Sequence, residues 1–449
     1  LLLLPLYLIW PSQLLLELCE TAVLAAGVIP VFWIARRHSG SSACAGLLAV
    51  TWLLYAPLQY LDIEIDFKTF RPMSFGVTAL LFGLDQLERG RLKSTAVCFV
   101  LALSAKEDFA LILAPLGIWL AVQAWRQSRP GPLQPSLSCG IPPRNLIPGI
   151  GLSLLASGYL LLVIRVVIPW FRGWEEVHYT RYFARFGDSP GEIVFSILTK
   201  PGLVLEEFVT ISSTNYLLAL FVPLAFLPFL SASRLLVAAP ILGLLCLNEI
   251  VQSDPYPRHH FQGPVLPILF WAAAAGIGVV NRLPAGRRQK VLQRMMPGGP
   301  LTFATFGCLA ALLSGTMLGI SPVSLSFWDS GSPNHWSHYV PGERAEMIER
   351  VLAEIPTDSR VASTDCVHTR LIHYERSYDY SGYRRKVAGD RDGVPEDTDY
   401  IILDRKHHYS KVHSPDDVRE LQTEPEKWIL LTDLYEKTNG CFIVLKRRQ

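Results

Sequence analysis

The ionisable residues of this 449-residue chain are divided very unevenly: 40 of the 80 Asp, Glu, Lys and Arg residues fall in 321–449, and the other 40 are spread over the first 320 positions. The front part is therefore about 12 % charged and the tail about 31 %, against roughly a quarter in an average soluble domain. A front so poor in charge cannot be an ordinary water-soluble domain. The expected architecture is an all-α polytopic membrane bundle over 1–320, followed by a small soluble α/β domain over 321–449. The front has 23 Lys/Arg against 17 Asp/Glu and the tail 18 against 22, so neither part carries the basic excess of a nucleic-acid partner. Eight scattered cysteines, with no CxxC pair, exclude a disulfide scaffold and give no zinc signature. The opening Leu1-Leu2-Leu3-Leu4-Pro5 lacks a charged n-region and does not read as a signal peptide. The expectation is that an upstream segment has been lost.

A membrane-spanning helix needs about 20 mostly apolar residues. Candidate spans are 12–34, 41–60, 71–88, 147–169, 214–230, 233–250, 262–280 and 300–320. The apolar stretch 93–125 is interrupted by Lys106-Glu107-Asp108, and a single helix would bury three charges near its middle. Two short helices with those charges at the turn avoid that cost, which gives about ten transmembrane helices. Under that topology 14 Lys/Arg, among them Arg36, Arg37, Arg89, Arg234 and Arg282, gather on one side and 8 on the other. The positive-inside rule then places the richer side in the cytoplasm and the tail outside it, as in an inner-membrane protein. The Pro-rich 126–146 stretch reads as a cytoplasmic linker, and Gly286 to Gly299 as a basic connector at the lipid surface. Gly315 and Gly319, four apart in the last span, read either as a dimer face or as close packing inside the bundle.

In the tail, Met347, Ile348, Val351, Leu352 and Ile355 share one helical face, and Pro356 stops the helix. Short β-rich runs follow at 360–363, 400–403, 428–431 and 441–445, with a hydrophilic stretch at 384–398. Cys366 and Cys441 either bridge or remain as two thiols.

No GxSxG, P-loop, GxGxxG or HExxH pattern is present. The chemistry-bearing residues are instead charges that the topology collects on the outer face. Residues 61–68 alternate strictly between apolar and charged, so an extended segment would put Asp62, Glu64, Asp66 and Lys68 on one side. Arg71 follows, Lys106-Glu107-Asp108 forms the hairpin tip, and Arg258-His259-His260 stands at the entrance to the 262–280 span. Each also has a structural reading: an interfacial loop for 61–68, a helix N-cap for Asp108, and an interface anchor for the His pair. Arg165, in turn, reads as snorkelling to the headgroups.

Taken together, Lys68, Arg71, Lys106, Arg258, His259 and His260 are candidates to hold an anionic phosphate, and Asp66, Glu107 and Asp108 are candidate catalytic acids. A carboxylate takes the proton of an attacking hydroxyl, while cations stabilise a departing phosphate, which suits glycosyl transfer from a polyprenyl-phosphate sugar to a glycan, lipid or protein acceptor. The acids could also hold a divalent metal, although their spacing is no metal signature. A transporter or lipid-handling protein would string the same charges along a route through the bundle, for which Glu17, Glu20 and Asp85 are the buried candidates. A non-catalytic membrane scaffold is the third alternative.

The run Ala105-Lys106-Glu107-Asp108-Phe109-Ala110, with Leu116-Gly117-Ile118 after it, resembles the signature of the domain-of-unknown-function 2079 (DUF2079) family of multi-pass membrane proteins. Leu4-Pro5-Leu6-Tyr7, Trp10-Pro11-Ser12, Ile29-Pro30, Asp66-Phe67, Tyr182-Phe183, Leu227-Pro228 and His260 before Pro264 extend the resemblance over nearly the whole chain. It implies kinship with the GT-C membrane glycosyltransferases, hence a lipid-phosphate-sugar donor and an active site on the outer face. Where relatives carry His after the Asp-Phe pair and an acid soon after, this chain has Lys68, Thr69 and Phe70. GT-C enzymes carry a catalytic carboxylate in the first outer loop, and that loop is expected to lie upstream of Leu1.

Overall fold

An apolar helix that meets a Lys-Glu-Asp run must either bury the charges or stop, and this chain stops. The computed structural model describes residues 3–64, 70, 72–128, 145–171, 178–282, 299–380, 393–406, 410 and 412–448, with backbone alone at 13, 64, 178, 179, 280–282, 365 and 366. Most of the 126–146 linker, the basic connector and most of the 384–398 stretch lie outside the described residues, as do Asp66, Lys68 and Arg71. The contacts form two compact units, the first holding Leu1–Trp10, Leu14–Val167 and Val177–Asn334, and the second holding His335–Gln449 together with Pro11–Gln13 and Ile168–Glu176.

In the first unit, Leu92–Ala105 ends at Lys106, whose extended backbone (φ −161°, ψ 144°) breaks the helix. A single 3-10 turn, Glu107–Phe109, then leads into Ala110–Ser128. By length and composition four described helices can cross a membrane, and up to seven segments if each bent pair is one span, against the ten expected. The difference lies in broken helices. The expected 214–230 span is instead Ile211–Phe221, a short 3-10 turn, and then Ala225 and Phe226 with positive φ (47° and 57°). The expected 233–250 span is Ala232–Leu235, Ala239–Cys246 and Glu249–Ser253. Irregular backbone of this kind survives at membrane depth only where protein covers it, and here Leu224, Leu227 and Pro228 are buried.

Aromatic donors tie the helices together. Trp52 Nε1 donates to the Leu24 carbonyl at 2.8 Å, Tyr55 to Leu220 at 2.7 Å, and Tyr159 to Leu103 at 2.9 Å. Tyr60 donates to Leu318 at 2.8 Å, and Tyr256 to the same oxygen at 3.4 Å. Small residues let backbones meet. A Cβ on Gly117 would stand 2.5 Å from the Gly149 carbonyl, and one on Gly315 2.7 Å from that of Leu54, so the glycines of the last span pack inside the bundle.

A buried charge cluster sits at the far end of Met73–Glu88. Glu88, whose side chain is 3 % exposed, accepts from Arg37 at 3.1 Å, pairs with His38 at 2.9 Å and Arg234 at 3.5 Å, and takes the Trp271 indole N–H at 2.8 Å. Asp85 holds Arg37 at 2.6 Å and Arg89 at 2.9 Å. The Arg234 guanidinium also lies over Trp271, 4.9 Å from the ring centroid, and over Trp119 at 5.6 Å.

The tail is a five-stranded sheet: β1 Arg360–Ser363, β2 Arg376–Asp379, β3 Tyr400–Asp404, β4 Trp428–Leu430 and β5 Phe442–Arg447. The order is β2-β1-β3-β5-β4, with β1 parallel to both neighbours and β5 antiparallel to both of its own. Because strand side chains alternate, Tyr400, Ile402, Phe442 and Val444 pack with Ile348 and Val351 on one face. Ile401, Leu403, Ile443 and Leu445 pack with Val418 and Trp428 on the other. Strand β2, Arg-Ser-Tyr-Asp, has no apolar run and is not expected from the sequence; it is an edge strand. Cys441 is a free thiol among the described residues, and the Cys366 side chain lies outside them.

Two outcomes follow from these pairs. Glu88→Ala leaves Arg37, His38 and Arg234 around a missing carboxylate, a loss of about 3–5 kcal/mol for a broken buried pair; the thermal midpoint of the detergent-solubilised chain should fall sharply, and an unchanged midpoint would refute the role. In the tail, partial burial raises the Asp399 pKa, but hydrogen bonds from the Arg360 side chain and backbone outweigh it, and the net shift is downward from 3.8. With the folded value below the unfolded one, this contribution is complete above the ordinary carboxylate range and is lost as pH falls through the folded value. Acid unfolding of the tail, followed by circular dichroism, should be steeper in the wild type than in Asp399→Asn below about pH 4.

Candidate functional site

The break at Lys106 puts three ionisable side chains on one short turn. Lys106 Nζ pairs with Asp108 Oδ2 at 2.6 Å, and the turn is entered at Lys106 without any side-chain cap. Lys106, Glu107 and Asp108 are all half-buried, whereas Phe109 is fully buried. Phe109 fits because residue 76 on the neighbouring helix is glycine: a Cβ there would collide with the Phe109 ring and touch Ala105.

This turn forms the polar rim of a cavity of about 290 Å³. Its walls are mainly apolar: Leu111, Leu160 and Ile164 on one side, Phe183, Pro190, Ile193 and Val194 on another, with Ile241, Leu244 and Leu245 from the broken helix. Thr180, Tyr182, Asn248 and Phe261 complete the lining. The cavity thus joins a cation and two carboxylates to a greasy interior. Such a shape suits a ligand with a polar head and a hydrocarbon chain.

Phe261 is the point where the separate segments meet. Lys106 Nζ lies 5.6 Å from its ring centroid, the His260 ring 4.4 Å, the His259 ring 6.1 Å and the Tyr182 ring 6.2 Å. The hairpin tip and the His pair, about 150 residues apart in sequence, therefore share one aromatic neighbour. Arg258 does not line the cavity: it is half exposed, stands 4.0 Å from Asp254 and lies over Tyr256.

The first expected segment behaves differently. Asp66, Lys68 and Arg71 lie outside the described residues. What precedes them is not extended: Tyr60–Glu64 is a π-helical turn that continues Ala56–Gln59. The wide turn buries Leu61 and lets Asp62 accept from the Thr21 hydroxyl at 2.9 Å, a local arrangement that the strict alternation does not reveal. Arg165 is exposed on the Val163–Val167 turn. Among the described residues, no group of three or more His, Cys, Asp or Glu side chains could hold a metal ion.

Sequence reasoning missed Tyr182, Asn248 and Phe261. Asn248 reads as an ordinary cap, and its side chain does accept from Ile250 N at 2.8 Å. Phe261, next to the His pair, was the available signal. Also unforeseen is the Glu88 cluster, because its arginines entered the sequence argument only as loop charges.

Comparison with known proteins adds the following. A family model described as "Predicted membrane protein (DUF2079)" matches residues 1–440. No curated protein matches the chain. Among solved structures, the oligosaccharyltransferase of Archaeoglobus fulgidus tethered to an acceptor peptide containing the NVT sequon overlaps at a TM-score of 0.32 and 11 % identity, covering 87 % of this chain and 57 % of that one. The same enzyme with Zn and sulfate gives 0.32, 11 %, 87 % and 56 %. The archaeal oligosaccharyltransferase AglB from that organism, with an inhibitory peptide and a dolichol-phosphate, gives 0.29, 11 %, 87 % and 58 %. The chain thus spans a little over half the length of these structures.

The glycine opposite Phe109 offers a direct test of how the rim is positioned. Gly76→Ala forces Phe109 to move, at a cost of about 1–3 kcal/mol for overpacking a tight core. A cysteine-accessibility assay at position 107 should then report a changed labelling rate, and identical rates with and without the substitution would show that the rim does not depend on this contact.

Proposed function

The chain belongs to the DUF2079 family of predicted membrane proteins, and on that premise we propose that it is a membrane-embedded glycosyltransferase of GT-C type, taking a sugar from a polyprenyl-phosphate carrier. One observation carries the reading: Lys106, Glu107 and Asp108 stand together at the rim of a mainly apolar cavity. The apolar walls accept an isoprenoid chain. The Lys106 ammonium has three donors, and Asp108 takes one of them. The others serve the carrier phosphate by charge-assisted hydrogen bonds.

In the reaction an acceptor hydroxyl attacks the anomeric carbon of the sugar. Its proton passes to Glu107, the bond from that carbon to the phosphate oxygen breaks, and the carrier leaves as a phosphate anion held by Lys106. Asp108 fixes the ammonium, and His260 with His259 orients the leaving group beside Phe261. Lys68 and Arg71 are further candidates to complete the anion site, and Asp66 to position the acceptor.

We also infer that this rim faces outside the cytoplasm of an inner-membrane protein. The Lys/Arg surplus on the opposite side supports that orientation. So does the last apolar helix, whose Leu318 end receives hydrogen bonds from Tyr60 and Tyr256, five residues before Phe261. The 321–449 tail would then be extracytoplasmic.

Purified chain in lipid vesicles, given a radiolabelled polyprenyl-phosphate sugar and a panel of glycan, lipid and peptide acceptors, should transfer the label. Lys106→Ala and Glu107→Ala should each lower the rate by about a hundredfold or more, with membrane insertion unchanged. Wild-type rates in both variants would remove the assignment.

A further inference from the structure

The tail has a cavity of its own, of about 370 Å³, whose polar lining comprises His338, Tyr339, Arg344, Arg370 and Asp404, with Phe442 among the apolar walls. Its position follows from the strand order. The chain runs from β1 to β2 on one side, then returns to β3 on the other side of β1, all three parallel. The connections leaving β1 and β3 therefore diverge and open a crevice at the carboxyl ends of these strands. That crevice is the place where open α/β sheets take their ligands. Asp404 is the last residue of β3, and Val367, in the turn after β1, also lines the cavity.

Charged side chains line the crevice. Asp404 is completely buried, and its charge is matched locally: one oxygen takes the Arg344 guanidinium at 2.6 Å and the other the Lys406 backbone N–H at 2.9 Å. Its own N–H bonds the Thr364 hydroxyl at 3.0 Å. A carboxylate held so firmly acts as an anchor that fixes the Arg344 fork in the wall. Arg370 lines the same space from the segment after β1, and its partner Glu349, 3.2 Å away, lies outside the lining. Two guanidiniums thus line one wall with the anchored carboxylate, and the Tyr339 and Phe442 rings stand beside them. Planar, pre-oriented guanidinium groups are the side chains best shaped for oxyanions.

We infer that the tail binds a small organic anion, its phosphate or carboxylate group set between Arg344 and Arg370 and its compact body against Tyr339 and Phe442. This site is independent of the cavity at Lys106 and stands or falls without the transferase reading.

The test is calorimetric titration of the full chain in detergent with four probes: inorganic phosphate, glucose 6-phosphate, glucuronate and glucose. The expected result is binding of glucose 6-phosphate or glucuronate, the tighter of the two identifying the acid group, with inorganic phosphate weaker and glucose silent. Affinity should fall as ionic strength rises. Arg370→Ala should weaken binding about tenfold or more, equal to about 1.4 kcal/mol, with Arg370→Lys recovering part of the loss. Glu349→Ala should not weaken it, because that change removes a competing carboxylate, and Lys106→Ala should bind as the wild type does. Arg370 is partly exposed, so an unchanged thermal midpoint in Arg370→Ala separates lost binding from lost folding. The inference is overturned if none of the charged probes binds up to about 10 mM, a few kcal/mol of affinity, if glucose binds as well as the anions, or if Arg370→Ala leaves the affinity unchanged.

Discussion

A carboxylate sealed among apolar helices survives only when cations and donors replace its water, and Glu88 is held in that way by Arg37, His38, Arg234 and the Trp271 indole. Glu88 and these partners come from four separate stretches of the chain, so the cluster sets how those stretches stand against one another. It also fixes one end of Met73–Glu88. At about 1.5 Å per residue this helix carries the other end about 22 Å away, and there Gly76 meets Phe109 beneath the Lys106 turn. One helix thus separates a buried, mutually paired set of charges from a set that borders a cavity.

Some of this was legible in the residues alone. The charge run at 106–108 had one affordable place in an apolar stretch, and the helix breaks there. The tail strands with apolar alternation, and the helix stopped by Pro356, stand where hydrophobic spacing places them. What escaped was structure without such a pattern. Strand β2 is polar because an edge strand buries little, and Ala225 with Phe226 adopt left-handed backbone with no glycine to announce it. The π-helical turn at Tyr60–Glu64 hides behind an alternation that mimics a strand.

The candidate site was legible by halves. Topology argued that Lys106-Glu107-Asp108 and His259-His260 share one end of the bundle, and both lie beside Phe261. It could not supply the apolar walls, because Leu160, Ile193 and Leu245 look like any membrane-facing residues until packing turns them inward. Arg258 shows the converse: adjacent in sequence to the His pair, it turns away to Asp254 and Tyr256.

The walls of that cavity are unequal. Leu111 and Leu160 belong to helices clamped backbone to backbone through Gly117 and Gly149, and they join the main core of the unit. Ile193 and Phe183 belong to a separate small cluster with Phe186 and Leu247, carried on short helices. One wall therefore shares the stiffness of the main core, while the opposite wall rests on a few contacts of its own.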